Sequence, residues 1–236
     1  MSTYTIHMIR HIVEPRRLLL VWQPLDANRQ RTRRVVGELL RENSNVTLRY
    51  LSQTLDFAEA LESGFTCFPA FPKIERDYTE GILETFSLRL PPRSRLDFKH
   101  FLESIRISPD TQVSDFALLG YSEARLPGDG FSIVNPFDDF PVPCEFLSEI
   151  AGFRHYRNSD AVYEIGMALN FEIEKDNPIE QNAIAVIADD KKIGYVNRVQ
   201  LQAVKHWLSH NKVRAFIERN NGRPGWPRVY MFVEVS

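Results

Sequence analysis

The alternation of apolar and polar positions divides the chain into two stretches of different character. "RLLLVWQ" (17–23), "RRVVGELLR" (33–41) and "NVTLRYLS" (45–52) are short aliphatic and β-branched runs separated by turn formers, and they predict a small antiparallel sheet. Helical patterns follow. "TLDFAEALESG" (54–64) opens on Thr54 with acids in its first turn and stops at Gly64. "SRLDFKHFLESIRI" (94–107) offers Ser94 as a cap and places Phe98, Phe101, Leu102 and Ile105 on one face. "DTQVSDFALLGY" (110–121) reads as a third short helix, "TCFPAFPK" as an irregular crossing, and "GDGFSIVNP" (128–136) as a strand.

The segment "NPFDDFPVPCE" (135–145), with three prolines and few strand formers, reads as a linker. Beyond it strands dominate. "YEIGMALNFEIEK" (163–175) is one bent strand or two short ones, and "NAIAVIADD" and "KKIGYVNR" make a hairpin. "RVQLQAVKHWLSHN" (198–211) is a helix with Leu201, Val204 and Leu208 on one face and Asn211 at its end. "VRAFIERN" (213–220) and "RVYMFVEV" (228–235) are strands around the loop "NGRPGWP". The expected architecture is α+β. A mixed N-terminal domain (1–140) precedes a small, partly closed β-barrel with one helix (146–236).

Composition adds little until charge is read locally. Over 236 residues, 29 Lys and Arg face 31 Asp and Glu, so no whole-molecule field selects a partner. Between Val196 and Tyr230, however, Arg198, Lys205, Lys212, Arg214, Arg219, Arg223 and Arg228 are opposed only by Glu218, and Arg29, Arg31, Arg33 and Arg34 form a second basic cluster. Local fields of this kind attract polyanions; a solvated face or loop is the plainer reading of the 29–34 cluster. No apolar run approaches the roughly 20 residues of a membrane span. "MSTYTIHMIRHIVEP" has no signal-type apolar core, so a cytoplasmic protein with no membrane partner is expected. Cys67 and Cys144 read as two idle thiols rather than a disulfide.

The chemistry concentrates in "EKDNPIEQNAIAVIADDKKIGYVNR" (174–198). Asn177-Pro178 makes a sharp turn, and Asn182 stands where it can hold that turn from the other side. Gly194 lets a backbone or a ligand come close, Tyr195 supplies a ring and a hydroxyl, and Arg198 supplies a cation where strand becomes helix. Upstream, "AGFRHYR" (151–157) sets Arg154, His155, Tyr156 and Arg157 after Gly152. Rings beside guanidinium groups suit a single-stranded nucleic acid.

"GFRHY", "KDNPIEQNAIAV" and "IGYVNR", in that order, resemble the HIRAN domain over about residues 148–236. The resemblance implies an OB-like barrel that binds single-stranded DNA at its 3′ end. It places Arg154, His155 and Tyr156 at the terminal nucleotide, and Asn177 and Glu180 around the 3′-hydroxyl. Asn182 would hold the turn, and Tyr195 and Arg198 would touch sugar or phosphate. The chain departs from the family pattern at Ile179, at Glu180 (often Asp) and at His155 (often Tyr). These changes imply weaker stacking or a different ligand.

In the first stretch "VVGELL", "LRYL", "FPAFP" and "DFALLGYSEARLPGDG" are similar to the N-terminal subdomain of HipA-type serine/threonine kinases, over residues 18–135. The kinase core itself is absent from the sequence. The resemblance implies a protein partner, a separately encoded HipA-like kinase, in a toxin–antitoxin or phage-defence setting.

No convergent catalytic set, cofactor motif or metal site is expected. His206 and His210 have a spacing that can hold a metal, but no third ligand is evident and no HExxH pattern is formed. No GxSxG elbow occurs, Cys67 is flanked by apolar residues, and "PGDG" (127–130) reads as a turn. Asp138 and Asp139 read as turn residues, and Trp226 suits either a stacked base or a plug in the barrel. Two readings result. One is a non-catalytic protein binding single-stranded DNA and docking a protein partner. The other is a protein-interaction regulator that does not bind DNA.

Overall fold

The computed structural model describes residues 6–26, 32–126, 128–156, 163–223 and 226–236. Arg29, Arg31 and Arg157, and the side chains of Arg223 and Trp226, lie outside what it describes. The chain forms two compact units, neither continuous in sequence. One holds residues 13–101 and 110–136, the other residues 1–12, 102–109 and 137–236.

In the first unit three aliphatic runs pair as expected: β1 (Arg17–Trp22), β2 (Arg34–Glu42) and β3 (Asn45–Tyr50), joined by β4 (Phe131–Val134) in the antiparallel order β3-β2-β1-β4. Helix α1 (Leu55–Glu62) is capped by Thr54, whose side chain accepts from the Phe57 N–H. Helix α2 (Ile82–Ser87) was not anticipated. It has six residues, no side-chain cap and only Ile82 and Phe86 buried, which leaves little periodicity to detect. Helix α3 (Phe98–Ser104) starts three residues later than a cap at Ser94 would have it. Turns bonding Arg95 to Pro92 and Phe98 to Arg95 occupy that stretch, and a doubly bonded Arg95–Asp97 pair holds them. Helix α4 (Asp115–Ser122) begins at a Ser114 cap. An aromatic core of Tyr50, Phe57, Phe65, Phe68, Phe86 and Phe131 fills this unit.

The second unit is built on six strands: β5 (Cys144–Glu149), β6 (Ala168–Glu174), β7 (Ala183–Ala188), β8 (Lys191–Tyr195), β9 (Val213–Arg223) and β10 (Trp226–Val235). Their order is β5-β10-β9-β6-β7-β8. The two ends of this sheet meet. Ala151, just past β5, forms an antiparallel bridge with Tyr195 at the end of β8, through N–H to O distances of 2.8 and 2.9 Å. The sheet is thereby the small, partly closed barrel expected, and the architecture is α+β. Gly194 makes the closure possible: a Cβ there would stand 2.5 Å from the Ala151 carbonyl oxygen. Pairing of β9 with β10 continues to Arg223 and Trp226, so most of "NGRPGWP" is ladder rather than loop.

Helix α5 (Phe153–Tyr156) is a single turn, and α6 (Leu201–His210) follows a 3-10 turn at Arg198–Gln200. The buried face of α6 holds Leu201 and Val204 as expected, with Ala203 and Trp207, while Leu208 is half-buried. Trp207 is fully buried against Phe137 and Phe146. The proline-rich segment at 135–145 is therefore no bare linker, since its Phe137 belongs to the core.

Residues 7–11 are anchored in the same unit. His7 stacks on Phe216 and Phe232 and donates from Nδ1 to Glu218 at 2.9 Å. Arg106 pairs with the same fully buried carboxylate at 2.7 Å, and Ile9 bridges to Ile107 in parallel. Glu145 accepts from the backbone N–H groups of Arg10 and His11 and from His11 Nδ1. Cys67 and Cys144 are free, and burial pushes the Cys144 thiol up to about 12. Among the described residues no helix is long and apolar enough to cross a membrane.

Candidate nucleic-acid interface

The turn after β6 is organised by one side chain. Asn177 Oδ1 accepts from the N–H groups of Ile179 and Glu180 at 3.0 and 3.1 Å, an Asx turn that leaves Nδ2 facing back toward the sheet. There Nδ2 donates to Glu174 Oε2 at 2.8 Å and to the Tyr195 hydroxyl at 3.1 Å. Asn182 contributes through its backbone, whose left-handed φ of 58° asparagine tolerates. The Ala183 N–H then bonds the Glu180 carbonyl at 3.0 Å and the chain enters β7. Glu180 accepts from Arg198 Nε at 2.9 Å, tying the turn to the start of the 3-10 segment.

Tyr195 is the hub. Its hydroxyl donates to Glu174 Oε2 at 2.9 Å and accepts from Lys192 Nζ at 2.9 Å and from Asn177. Two donors use both lone pairs of a hydroxyl oxygen. The Tyr156 hydroxyl, 3.4 Å away, is thus the loosest member of the group and the one a ligand can most easily replace. Lys192 Nζ also donates to Glu174 Oε1 at 2.8 Å and lies 4.9 and 5.0 Å from the ring centres of Tyr156 and Tyr195, which meet edge to face. Lys192 and Asn177 hold the Glu174 carboxyl below the ordinary range, and that carboxylate together with Tyr195 raises the Lys192 ammonium. The bond to Tyr195 and partial burial raise the Tyr156 phenol.

The single turn of α5 presents the upstream residues. Gly152, at φ 73°, reverses the chain after the Ala151 bridge, and buried Phe153 packs on Tyr163. Arg154, His155 and Tyr156 then face outward, with Arg154 Nε donating to His155 Nε2 at 2.9 Å. Asn177, Glu180, Tyr195, Arg198 and Tyr156 are thus assembled on one side of the seam. Arg154 and His155 stand beside Tyr156 on α5 and bond each other.

Glu174 and Lys192 were missed from sequence. A regular strand would send Lys192 and Tyr195 to opposite faces. The ladder shifts by one between Val186 and Ile187, where Ala185 opposes Tyr195 but Ile187 opposes Lys192. This bulge brings both side chains to the face that carries Glu174. Ala183 and Ala185, small residues of the intervening strand, let the side chains meet across it.

The C-terminal basic cluster is less free than its sequence suggested. Arg214 pairs with Glu234 at 2.8 Å, Arg228 lies 3.7 Å from Glu149, and Arg219 sits over Tyr230 and donates to the Ser104 carbonyl. Glu218 faces His7 and Arg106 instead. Arg34 of the first cluster pairs with Glu59. Among the described residues no three His, Cys, Asp or Glu side chains gather as a metal site; His206 and His210 stack ring on ring.

The second unit is thus a small, partly closed barrel with a polar, ring-edged network at its seam. The family model for the HIRAN domain matches residues 144–236. Among solved structures, the HIRAN domain of human HLTF is similar at 14% identity, over 39% of this chain and 74% of that one, with a TM-score of 0.32. A Lactobacillus plantarum protein is similar at 21% identity, over 37% and 91%, with a TM-score of 0.30. A search of curated proteins gives no match. The resemblance of residues 18–135 to HipA-type kinases is not supported by any of these comparisons.

Proposed function

We propose that the HIRAN-like domain of this protein binds single-stranded DNA at an exposed 3′ end, without catalysis, while the first unit docks a protein partner. The observation that carries the reading is the fixed network of Glu174, Asn177, Lys192 and Tyr195 with Tyr156 at its open edge. Carboxylate oxygens of Glu174 and Glu180 can accept from a terminal hydroxyl. Lys192, Arg198 and Arg154 can meet the adjoining phosphodiester, and the Tyr156 ring can stack a base. Because the polar groups already hold one another in place, binding orders few further side chains.

The test is fluorescence anisotropy with oligonucleotides carrying a free or a blocked 3′-hydroxyl. Blocking the 3′ end should weaken binding more than blocking the 5′ end, and equal responses would leave backbone tracking alone. Arg154→Ala with Arg198→Ala should lower affinity while the barrel stays folded. A second reading, a protein-binding regulator of a HipA-like kinase, is favoured by the internal neutralisation of Arg214 and Arg228 and by exposed Leu55, Leu88 and Leu96. It predicts no oligonucleotide binding at any salt concentration.

A further inference from the structure

From Lys191 to Ile217 the chain holds no acidic residue, while Lys191, Lys192, Arg198, Lys205, Lys212 and Arg214 fall inside that stretch. Lys192, Arg198 and Arg214 are each opposed by a carboxylate from elsewhere. Lys205 and Lys212 are exposed, with no acid opposite them among the described residues. Gln202, Lys205 and Ser209 share the exposed face of α6, which starts just after Arg198 and ends just before Lys212. At about 1.5 Å per residue this helix spans roughly 15 Å, enough to accompany a few nucleotides.

Beside that polar face stands a ladder of rings. Phe140 stacks on His206 at 4.1 Å and 10°, and His206 stacks on His210 at 4.3 Å and 18°. The His210 ring is fixed by the bond from its Nδ1 to the His206 carbonyl at 2.9 Å, and it is exposed. The ladder therefore ends on a ring face that a further planar group can cover. Cations spaced along a surface beside an open ring face are what a single strand needs once its end has been gripped.

We propose that the outer face of α6, from Arg198 to Lys212, is a track for the body of a DNA single strand whose end sits at Tyr195, with His210 as the platform for one of its bases. This rests on reading the seam network as a strand-end site, and Arg198 is the residue the two share. Charge and rings together select the occupant: Lys205 and Lys212 suit a phosphodiester chain, and the open face of His210 suits a base, which a merely acidic protein surface does not supply.

The test uses the full chain and oligodeoxythymidylates of about four and about twelve nucleotides, bracketing a usual OB-fold site. The wild type should bind the longer strand at least about fivefold more tightly, the low end of one base stack. Lys205→Ala with His210→Ala, both exposed, should abolish that gain and leave the short strand's affinity unchanged. The salt slope for the longer strand should fall by about 0.7 for the lost lysine. A gain retained in the variant, or absent from a wild type that still binds the short strand, overturns the track and leaves the end site standing. Binding of neither length overturns both.

Discussion

Tyr195 concentrates more of the site than any other side chain, because its hydroxyl joins a carboxylate, an ammonium and an amide while its backbone closes the barrel. Tyr195→Phe removes one acceptor and one donor from a half-buried network. It should lower stability by about 1–2 kcal/mol in urea unfolding and loosen Lys192 and Asn177. The Glu174–Lys192 pair gives a pH signature. The folded-state pKa of Glu174 is depressed, so its contribution is present above the ordinary carboxylate range and is lost as pH falls through the lowered value. That of Lys192 is raised, so its contribution is present below the ordinary amine range and fades only in strong alkali. With about a third of each side chain exposed, the pair contributes less than about 1 kcal/mol. Glu174→Gln should shift the urea midpoint at pH about 7 and shift it less at pH about 3, as protonation of the wild-type carboxyl begins to erase the difference. The same shift at both would rule out the ion pair as its source. At Gly194, φ is 153° and a methyl group would press on the Ala151 carbonyl, so Gly194→Ala should cost more than about 2 kcal/mol.

Most elements of the second unit were legible because alternation is a local signal. The hairpin of β7 and β8, the long helix and the last two strands stand where apolar spacing put them. The Asx turn was legible from Asn177-Pro178 alone, since the Asn side chain needs only its own neighbours. The Glu174–Lys192 contact was not. It depends on a one-residue bulge in β8 and on small alanines in the strand between, and neither leaves a mark in residue type. The anchoring of residues 6–12 was equally hidden, since His7 near the start and Arg106 in the middle of the sequence converge on Glu218 near its other end. This contact makes a prediction at the scale of the segment. Arg106→Ala leaves a fully buried carboxylate with one partner fewer, and should cost about 3–5 kcal/mol in chemical unfolding. Deleting residues 1–12 should weaken the barrel further, read as a lower unfolding temperature and faster proteolysis. A truncated chain as stable as the full one would mean that the strap merely rests on the barrel.

For the molecule as a whole, near-neutral charge and internally paired arginines set a modest electrostatic reach. Oligonucleotide binding through Lys192, Arg198 and Arg154 should show a slope of log affinity against log salt of roughly −2, at about −0.7 per phosphate contact on a single strand. A flat profile would transfer the site from nucleic acid to a protein surface. The architecture also links occupancy to integrity. A barrel zipped along this seam by one pair of backbone hydrogen bonds can breathe there, and the same tyrosine guards both that place and the polar network. A bound strand end should therefore act as a clasp, slowing hydrogen–deuterium exchange at the amides of Ala151 and Tyr195 before it alters exchange anywhere else in the sheet.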